Sequence, residues 1–306
     1  MSVTSAIRTE ALTKDYGGGH GLFGLDLEVT ESEVFGYLGP NGAGKTTTIR
    51  LLMGLAHPTS GSASIFGLDC QAQAVEVKRH VGYVPGELPQ YGPLRGREVI
   101  AYLGAMAGGV DEAHVKELSE RLELDLNRRF REYSTGNKKK LALVIAFMNR
   151  PRLLILDEPT SGLDPLNQQE FYGMVGEAQR GGATVFLSSH VLSEVQHVCD
   201  RVGIIRQGRL VQVADLEVLH EIRMRRVEIE FAGDVPLDAI RAAAGVEDVV
   251  AEDHRVRCVV RGSFEPLLAA ICRGQVVNLS SHEPSLEEMF LVYYSGDRVE
   301  AAPSPC

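Results

Sequence analysis

The 306 residues carry 41 acidic and 31 basic side chains, for a net charge of −10 and an isoelectric point near 5.4. That balance excludes a general nucleic-acid binder, which needs a basic surface against phosphate, but it leaves room for a nucleotide held in a local pocket. With 44% hydrophobic and 24% charged residues the chain has the composition of a folded protein, and its length fits one large domain, or one of about 200 residues with a small companion.

The N-terminal stretch "MSVTSAIRTEALTKDY" lacks the apolar core of a signal peptide. As far as about Val29 the sequence reads as two β segments around the glycine turn "YGGGHG". "EVFGYLG" (Glu33–Gly39) is then a short apolar strand that runs straight into a glycine-rich turn. "KTTTIRLLMGL" (Lys45–Leu55) follows, with Ile49, Leu52 and Met53 at helical spacing. The turn itself, "GPNGAGKT" (Gly39–Thr46), fits G-x-x-x-x-G-K-[ST] at every fixed position. In such a loop Gly39, Pro40, Asn41, Gly42, Ala43 and Gly44 wrap the backbone around phosphates with N–H groups turned inward. Lys45 reaches the β- and γ-phosphates, the Thr46 hydroxyl takes one Mg²⁺ position, and Thr47 stands beside it. A glycine turn without a ligand is the bland reading; a strand before the pattern and an amphipathic helix after it make that the weaker one.

Residues from Gly61 to Val84 read as strand, helix, strand, and Arg97 to Leu126 read as wholly helical, with Val115, Leu118 and Leu122 on one face. "YSTGNKKKLAL" (Tyr133–Leu143) is unusual: small polar residues, three lysines, then an apolar helix. It is either a helix capped by Ser134 or Thr135 with a solvated first turn, or a place where something negative docks. The apolar run within it, "LALVIAFM" (Leu141–Met148), is well short of the roughly 20 residues that cross a bilayer.

"LLILDEP" (Leu153–Pro159) reads as a buried strand that delivers Asp157 to the C-terminal edge of a sheet, where ligands of open α/β sheets bind. Asp157 suits Mg²⁺, through water, and Glu158 suits the task of orienting or deprotonating an attacking water. A helix from about Pro165, the strand "TVFLS", a short helix and the strand "VGIIR" follow, so that strands alternate with helices as in a parallel sheet covered on both faces. His190, just past "TVFLSS", leaves the same sheet edge; as a lone histidine it reads equally as structural or as a γ-phosphate contact. Around Glu221 the pattern changes to β-α-β-β-α-β, the ferredoxin-like order, followed by a last helix "SLEEMFLVYY" and a Pro- and Ala-rich tail. Cys70, Cys199, Cys258, Cys272 and Cys306 are scattered without C-x-x-C spacing, which points away from a disulfide framework or metal cluster and toward a reducing, cytosolic compartment.

Taken in order, these pieces resemble the ATP-binding subunit of an ABC transporter, over about Ile7 to Val213. Tyr16 stands where the family places an aromatic ring against adenine. "YSTGN" occupies the position of the family's signature loop, usually LSGGQ, and "LLILDEPTSGLDP" resembles the Walker B strand and D-loop almost letter for letter, with Asp164 among the nucleotide-contacting positions. His190 matches the switch histidine. The resemblance implies an α/β P-loop ATPase domain of ABC type at residues 1–220, with a helical subdomain at about 95–150, a small α+β ferredoxin-like accessory domain at 221–295 and a tail at 296–306.

It further implies ATP and Mg²⁺ as ligands, Lys45, Glu158 and His190 as catalytic groups, and a head-to-tail pair of ATP-binding domains. In that pair Ser134 and Gly136 close on the γ-phosphate held by the other subunit, a homodimer or a heterodimer. Lys138–Lys140 then add positive charge beside the loop or form a solvated helix face. Membrane-spanning permease subunits, docked near Arg95–Leu126, would hold the chain at the cytoplasmic face of the membrane.

Two departures stand out. Thr135 and Asn137 replace Gly and Gln in the signature loop, and a Cβ at Thr135 hinders close approach if the backbone there needs a positive φ. In "GYVPGELPQYGPL", Gly86 stands where the family has a Gln that touches Mg²⁺; Glu87 or Gln90 is left to substitute. The Pro-Gly-Glu stretch and the C-terminal region resemble the ABC-2 type branch of bacterial exporters of the daunorubicin-resistance kind, which implies export of an antibiotic or other drug. An importer ATPase, which shares every catalytic motif, and a soluble ABC ATPase acting on DNA or ribosomes are the alternative readings; the second usually carries two ATP-binding domains or a long coiled coil, and neither is in this sequence.

Overall fold

The computed structural model describes residues 4–216 and 224–282, which fall in two compact units, residues 1–216 and 217–306. In the first unit, β1 (Ser5–Asp15) and β2 (Gly21–Thr30) alternate buried and exposed residues and pair antiparallel, each with one face on the core. The next strand, β3 (Val34–Leu38), is buried at all five positions and feeds the glycine loop, after which comes α1 (Lys45–Leu52). β4 (Ser60–Ile65) and the two-residue β5 (Leu68–Asp69) complete a four-stranded sheet in the order β2-β1-β4-β5. Then follow α2 (Ala74–Arg79), β6 (Val81–Val84), α3 (Gly96–Met106), α4 (Glu112–Arg121) and α5 (Thr135–Phe147). The remaining elements are β7 (Leu153–Asp157), α6 (Pro165–Arg180), β8 (Thr184–Ser189), α7 (Leu192–Val198), β9 (Arg201–Arg206) and β10 (Arg209–Asp215).

The second sheet has the order β10-β9-β3-β8-β7-β6, with every neighbouring pair parallel except the β9/β10 hairpin. Apolar residues of both sheets, Ile7, Leu25, Phe35, Tyr37, Ile155 and Phe186 among them, share one core with Ile49 and Leu52 of α1. The three central strands β3, β8 and β7 are therefore neighbours, and all three point their C-terminal ends at the same edge. That arrangement positions the site.

One expectation needs correction. The stretch Arg97–Leu126 is not one helix: α3 and α4 are separated by Gly108 and Gly109, at φ 93° and 130°, and the chain leaves helix again at Glu123, at φ 51°. Positive φ ends a right-handed helix whatever the apolar spacing on either side. The hairpin strand β10 is a further element that the sequence signals poorly, because its ends are exposed, its middle is half-buried and it has no continuous apolar run.

In the second unit β11 (Met224–Phe231), α8 (Leu237–Arg241), β12 (Val246–Glu252), β13 (Arg255–Arg261), α9 (Glu265–Ile271) and β14 (Val276–His282) follow in the β-α-β-β-α-β order. The antiparallel sheet runs β12-β13-β11-β14, with β11 and β13 central, as in a ferredoxin-like fold. Val227, Ile229, Phe231, Val256, Cys258 and Val260 line one face and pack on Ile240, Leu267 and Ile271 of its helices. The expected last helix "SLEEMFLVYY" and the tail lie outside the described residues, as does the expected boundary at Glu221. Cys70, Cys199, Cys258 and Cys272 are free thiols.

Candidate active site

The loop after β3 places Gly39–Gly44 directly before α1, and no side chain caps that helix. Its first backbone N–H groups are thus open to an anion, with the positive end of the helix dipole behind them. Gly44 is the N-cap residue at φ 111°, a left-handed conformation that glycine adopts without strain, and an added Cβ would come 3.3 Å from the Gly21 carbonyl oxygen. Lys45 is buried; its ammonium donates to the carbonyl oxygens of Gly39 at 2.7 Å and Pro40 at 3.3 Å and lies 3.4 Å from Glu158 Oε1. A lysine curled over a ring of N–H donors supplies the cation of a polyphosphate cradle.

Asp157 ends β7 and is 1% exposed. Its carboxylate accepts from Ser188 Oγ at 2.6 Å on one oxygen and from Thr46 Oγ1 at 2.9 Å on the other. A carboxylate and a hydroxyl side by side at the mouth of a phosphate loop are the hard oxygen donors that Mg²⁺ takes, so the residues present fit that ion. Glu158, the next residue, is reached through a backbone φ of 47°, and its N–H lies 3.2 Å from both the carbonyl and the hydroxyl oxygen of Ser188. Its Oε1 meets both Lys45 Nζ, at 3.4 Å, and His190 Nδ1, at 3.2 Å. The sheet order thus brings together Lys45, Thr46, Asp157, Glu158 and His190 from the ends of three adjacent strands.

Ser134 and Gly136 sit apart, at the start of α5. Ser134 is the N-cap, its Oγ accepting from the Asn137 N–H at 3.2 Å, which leaves the hydroxyl hydrogen free to donate to an outside acceptor. Ser134 and Thr135 are exposed, and Thr135 is not among the positive-φ residues, so the loop does not need glycine there. Gly136 is needed for another reason: a Cβ would come 2.8 Å from the Gly162 carbonyl oxygen. Lys139 and Lys140 are buried, which overturns the solvated-face reading for two of the three lysines, while Lys138 lies over the Phe130 ring at 5.2 Å. Burial holds the Lys139 amine below its ordinary pKa, an effect partly offset by the Asp157 and Glu158 carboxylates.

Tyr16 is exposed, with Lys14 Nζ 5.4 Å from its ring centre, so its other surroundings leave the ring available for stacking. Asp164 is the N-cap of α6: its carboxylate accepts from Asn167 N at 3.0 Å and Asn167 Nδ2 at 2.7 Å, and these bonds lower its pKa. Gly86 is exposed, but a Cβ there would come 2.9 Å from Asp157 Oδ2. Glu87 and Gln90 are exposed as well, and among the described residues the side-chain partners of Asp157 are Thr46 and Ser188. Burial, and next the Asp157 charge, push the Tyr83 phenol up to about 12.

Sequence reasoning missed Ser188, which holds Asp157, and Glu194, which accepts from Thr160 Oγ1 and Ser189 Oγ, each at 2.6 Å, and so ties the loop after β7 to the end of β8. The signal for Ser188 was present: polar residues ending a wholly buried strand need partners. Glu194 gave none, because an acidic residue in the first turn of a helix is ordinary.

Comparison with known proteins yields consistent matches. The profile of the family described as "ABC transporter" matches residues 22–161. The chain is 33% identical over 261 residues to the bacitracin transport ATP-binding protein BcrA of Enterococcus faecalis, covering 84% of this chain and 85% of that one. It is 32% identical over 301 residues to the linearmycin resistance ATP-binding protein LnrL of Bacillus subtilis (strain 168), covering 93% and 97%. A solved ATP-binding subunit of an ABC transporter superposes with a TM-score of 0.65 at 29% identity, over 71% of this chain and 92% of the other. No helix among the described residues is long and apolar enough to cross a membrane.

Proposed function

The chain belongs to the ABC transporter family as an ATP-binding, ATP-hydrolysing subunit that works with a separate membrane partner, and from that premise we propose that it powers the export of an antibiotic or other drug through a membrane permease. The observation that carries the hydrolytic part is the line Lys45–Glu158–His190 beside the Thr46–Asp157 pair. Support for export of a drug comes from the relatives named for bacitracin transport and linearmycin resistance, and from the extent of the second match, which takes in the C-terminal unit.

In this reading the N–H groups of Gly39–Gly44 and the ammonium of Lys45 bind the β- and γ-phosphates, while Tyr16 stacks on adenine. Bound between Thr46 and Asp157, Mg²⁺ would neutralise phosphate charge and order the terminal phosphates. Glu158 orients water in line with the γ-phosphorus and takes up its proton as the new bond to phosphorus forms and the bond to the β,γ-bridging oxygen breaks, releasing ADP. His190, bonded to that carboxylate, donates toward the γ-phosphate oxygens and steadies the glutamate. The arrangement gives one half of a closed site. Ser134 and the open N-terminus of α5 in a second subunit would supply the other half, with a hydroxyl hydrogen and backbone donors.

The test is Glu158→Gln, which keeps shape and removes the base. Its ATP affinity should match wild type while kcat falls by about 100-fold or more. With turnover stopped, ATP should double its solution mass if two copies close head to tail; a Glu158→Gln enzyme that hydrolyses at the wild-type rate removes Glu158 from the mechanism.

A further inference from the structure

Lys139 has no part in the reading above, although its surroundings are unusual for a lysine. It stands five positions beyond the N-cap of α5, is 4% exposed, and brings its ε-amino group to 3.4 Å from the main-chain carbonyl oxygen of Asp157. Lysines are rarely buried this far unless the amine has something to do, because an apolar residue of the same volume packs without the cost of desolvating it. Here the amine reaches the peptide that joins Asp157 to Glu158. Ser188 holds the other side of that peptide, its carbonyl and hydroxyl oxygens each 3.2 Å from Glu158 N.

The peptide matters because it fixes the backbone on which Glu158 stands. A glutamate at φ 47° is in a region that non-glycine residues occupy only where surrounding contacts over-determine them. Clamped on the oxygen side by Lys139 and on the nitrogen side by Ser188, the peptide cannot rotate without losing both. Rotation would carry the Glu158 carboxylate away from Lys45 Nζ and His190 Nδ1, now 3.4 and 3.2 Å from it.

We propose that Lys139 is a positioning residue for ATP hydrolysis, which holds the Asp157–Glu158 peptide from α5 and thereby keeps the Glu158 carboxylate aimed at the attacking water. The claim rests on the assignment of Glu158 above. It has a mechanical consequence: the helix that starts at Ser134, and so meets the nucleotide of a second subunit, is tied by one side chain to the hydrolytic carboxylate of its own.

The experiment compares Lys139→Met and Lys139→Gln with the full-length wild-type chain in three readouts: kcat at saturating ATP, affinity for a fluorescent ATP analogue, and melting temperature. Methionine keeps the volume and removes the donor, so a residue that only fills space would tolerate it in every readout. Expected instead is a Lys139→Met protein that melts at or above wild type, binds nucleotide within about twofold, and turns over about 10-fold or more slowly, as a misaimed group costs. Lys139→Gln, which retains an N–H for the carbonyl, should recover part of the rate. Wild-type kcat in Lys139→Met overturns the proposal, as do equal losses of kcat and affinity, or a failure of both variants to fold, which would make Lys139 structural. Glu158→Gln assayed alongside separates the two claims. If it is active, the assignment of Glu158 falls and this inference with it; if it is inactive beside a wild-type-like Lys139→Met, only the inference falls.

Discussion

Gly86 shows how one missing side chain can be a requirement and not merely a loss. The strand β6 delivers residues Pro85 and Gly86 to the side of Asp157, so close that a Cβ at Gly86 would stand 2.9 Å from Oδ2. Asp157 cannot step aside cheaply, because Ser188 and Thr46 grip its two oxygens and its side chain is short. Gly86→Ala should therefore displace the carboxylate proposed to hold Mg²⁺ and raise the Mg²⁺ concentration for half-maximal ATPase activity about 10-fold, in the range seen when a ligand's supporting contacts are lost. An unchanged Mg²⁺ dependence would mean that the loop after β6 yields instead. Much at this scale was legible in advance. "GPNGAGKT" and "LLILDEP" named Lys45, Thr46, Asp157 and Glu158 because a phosphate loop and a strand-end carboxylate leave fixed letters. The clamp around Asp157 was legible only in part: the polar end of β8 signals that Ser188 needs a partner, but which carboxylate it and Gly86 meet follows only from which strands lie side by side.

At the scale of elements, α5 explains where the pattern in "KKKLALV" misleads. Lys139 and Lys140 precede Leu143 and Val144 by four residues, so they share the buried helix face, and the run of like letters conceals the periodicity. The reading of Arg97–Leu126 as one helix erred in the opposite way: apolar spacing continued across Gly108 and Gly109 although the backbone turned. Helix α4 buries Val115 and Leu118 and ends in a charge network on Arg121, which bonds Glu170 of α6 and, with both terminal nitrogens at 2.6 and 2.9 Å, the two oxygens of Glu177. The Arg121 bond holds the Glu177 carboxyl below its ordinary value of 4.5. A carboxyl whose pKa is depressed on folding stabilises the fold above its unfolded value, and that contribution is lost as the pH falls through the folded one. Arg121→Ala should cost about 1 kcal/mol at pH 7, a figure kept small because Glu177 is half-exposed and screened, and lower the melting temperature by about 3 °C. The gap between variant and wild type should hold from pH 7 to pH 5 and close below about pH 4, as Glu177 is protonated. A gap that is independent of pH would assign the loss to packing of the Arg121 stem.

Among the described residues, two hydrophobic clusters lie in different units. One joins Ile7, Phe35, Ile49, Ile155 and Phe186 across both sheets of the first unit; the other joins Val227, Ile229, Val256, Ile240 and Leu267 in the second. No residue belongs to both, and the β-α-β-β-α-β order closes on its own sheet, with β11 and β13 between two edge strands. In the sequence the pattern changes near Glu221, where a run of helices and parallel strands gives way to short alternating strands. Every group proposed to meet the nucleotide, from Tyr16 to His190, lies in the first unit. A unit with its own core and all of its ligands in place should fold and bind alone. A chain ended at Leu216 should accordingly bind ATP within about threefold of the full-length protein and unfold in a single cooperative step, by equilibrium binding and by urea titration. Loss of ATP binding in a folded 1–216 chain would mean that the second unit shapes the site; failure of that chain to fold would mean that the first core is incomplete without it. Binding retained while transport by the reconstituted complex disappears would assign residues 217–306 to the coupling of ATP hydrolysis with the membrane partner.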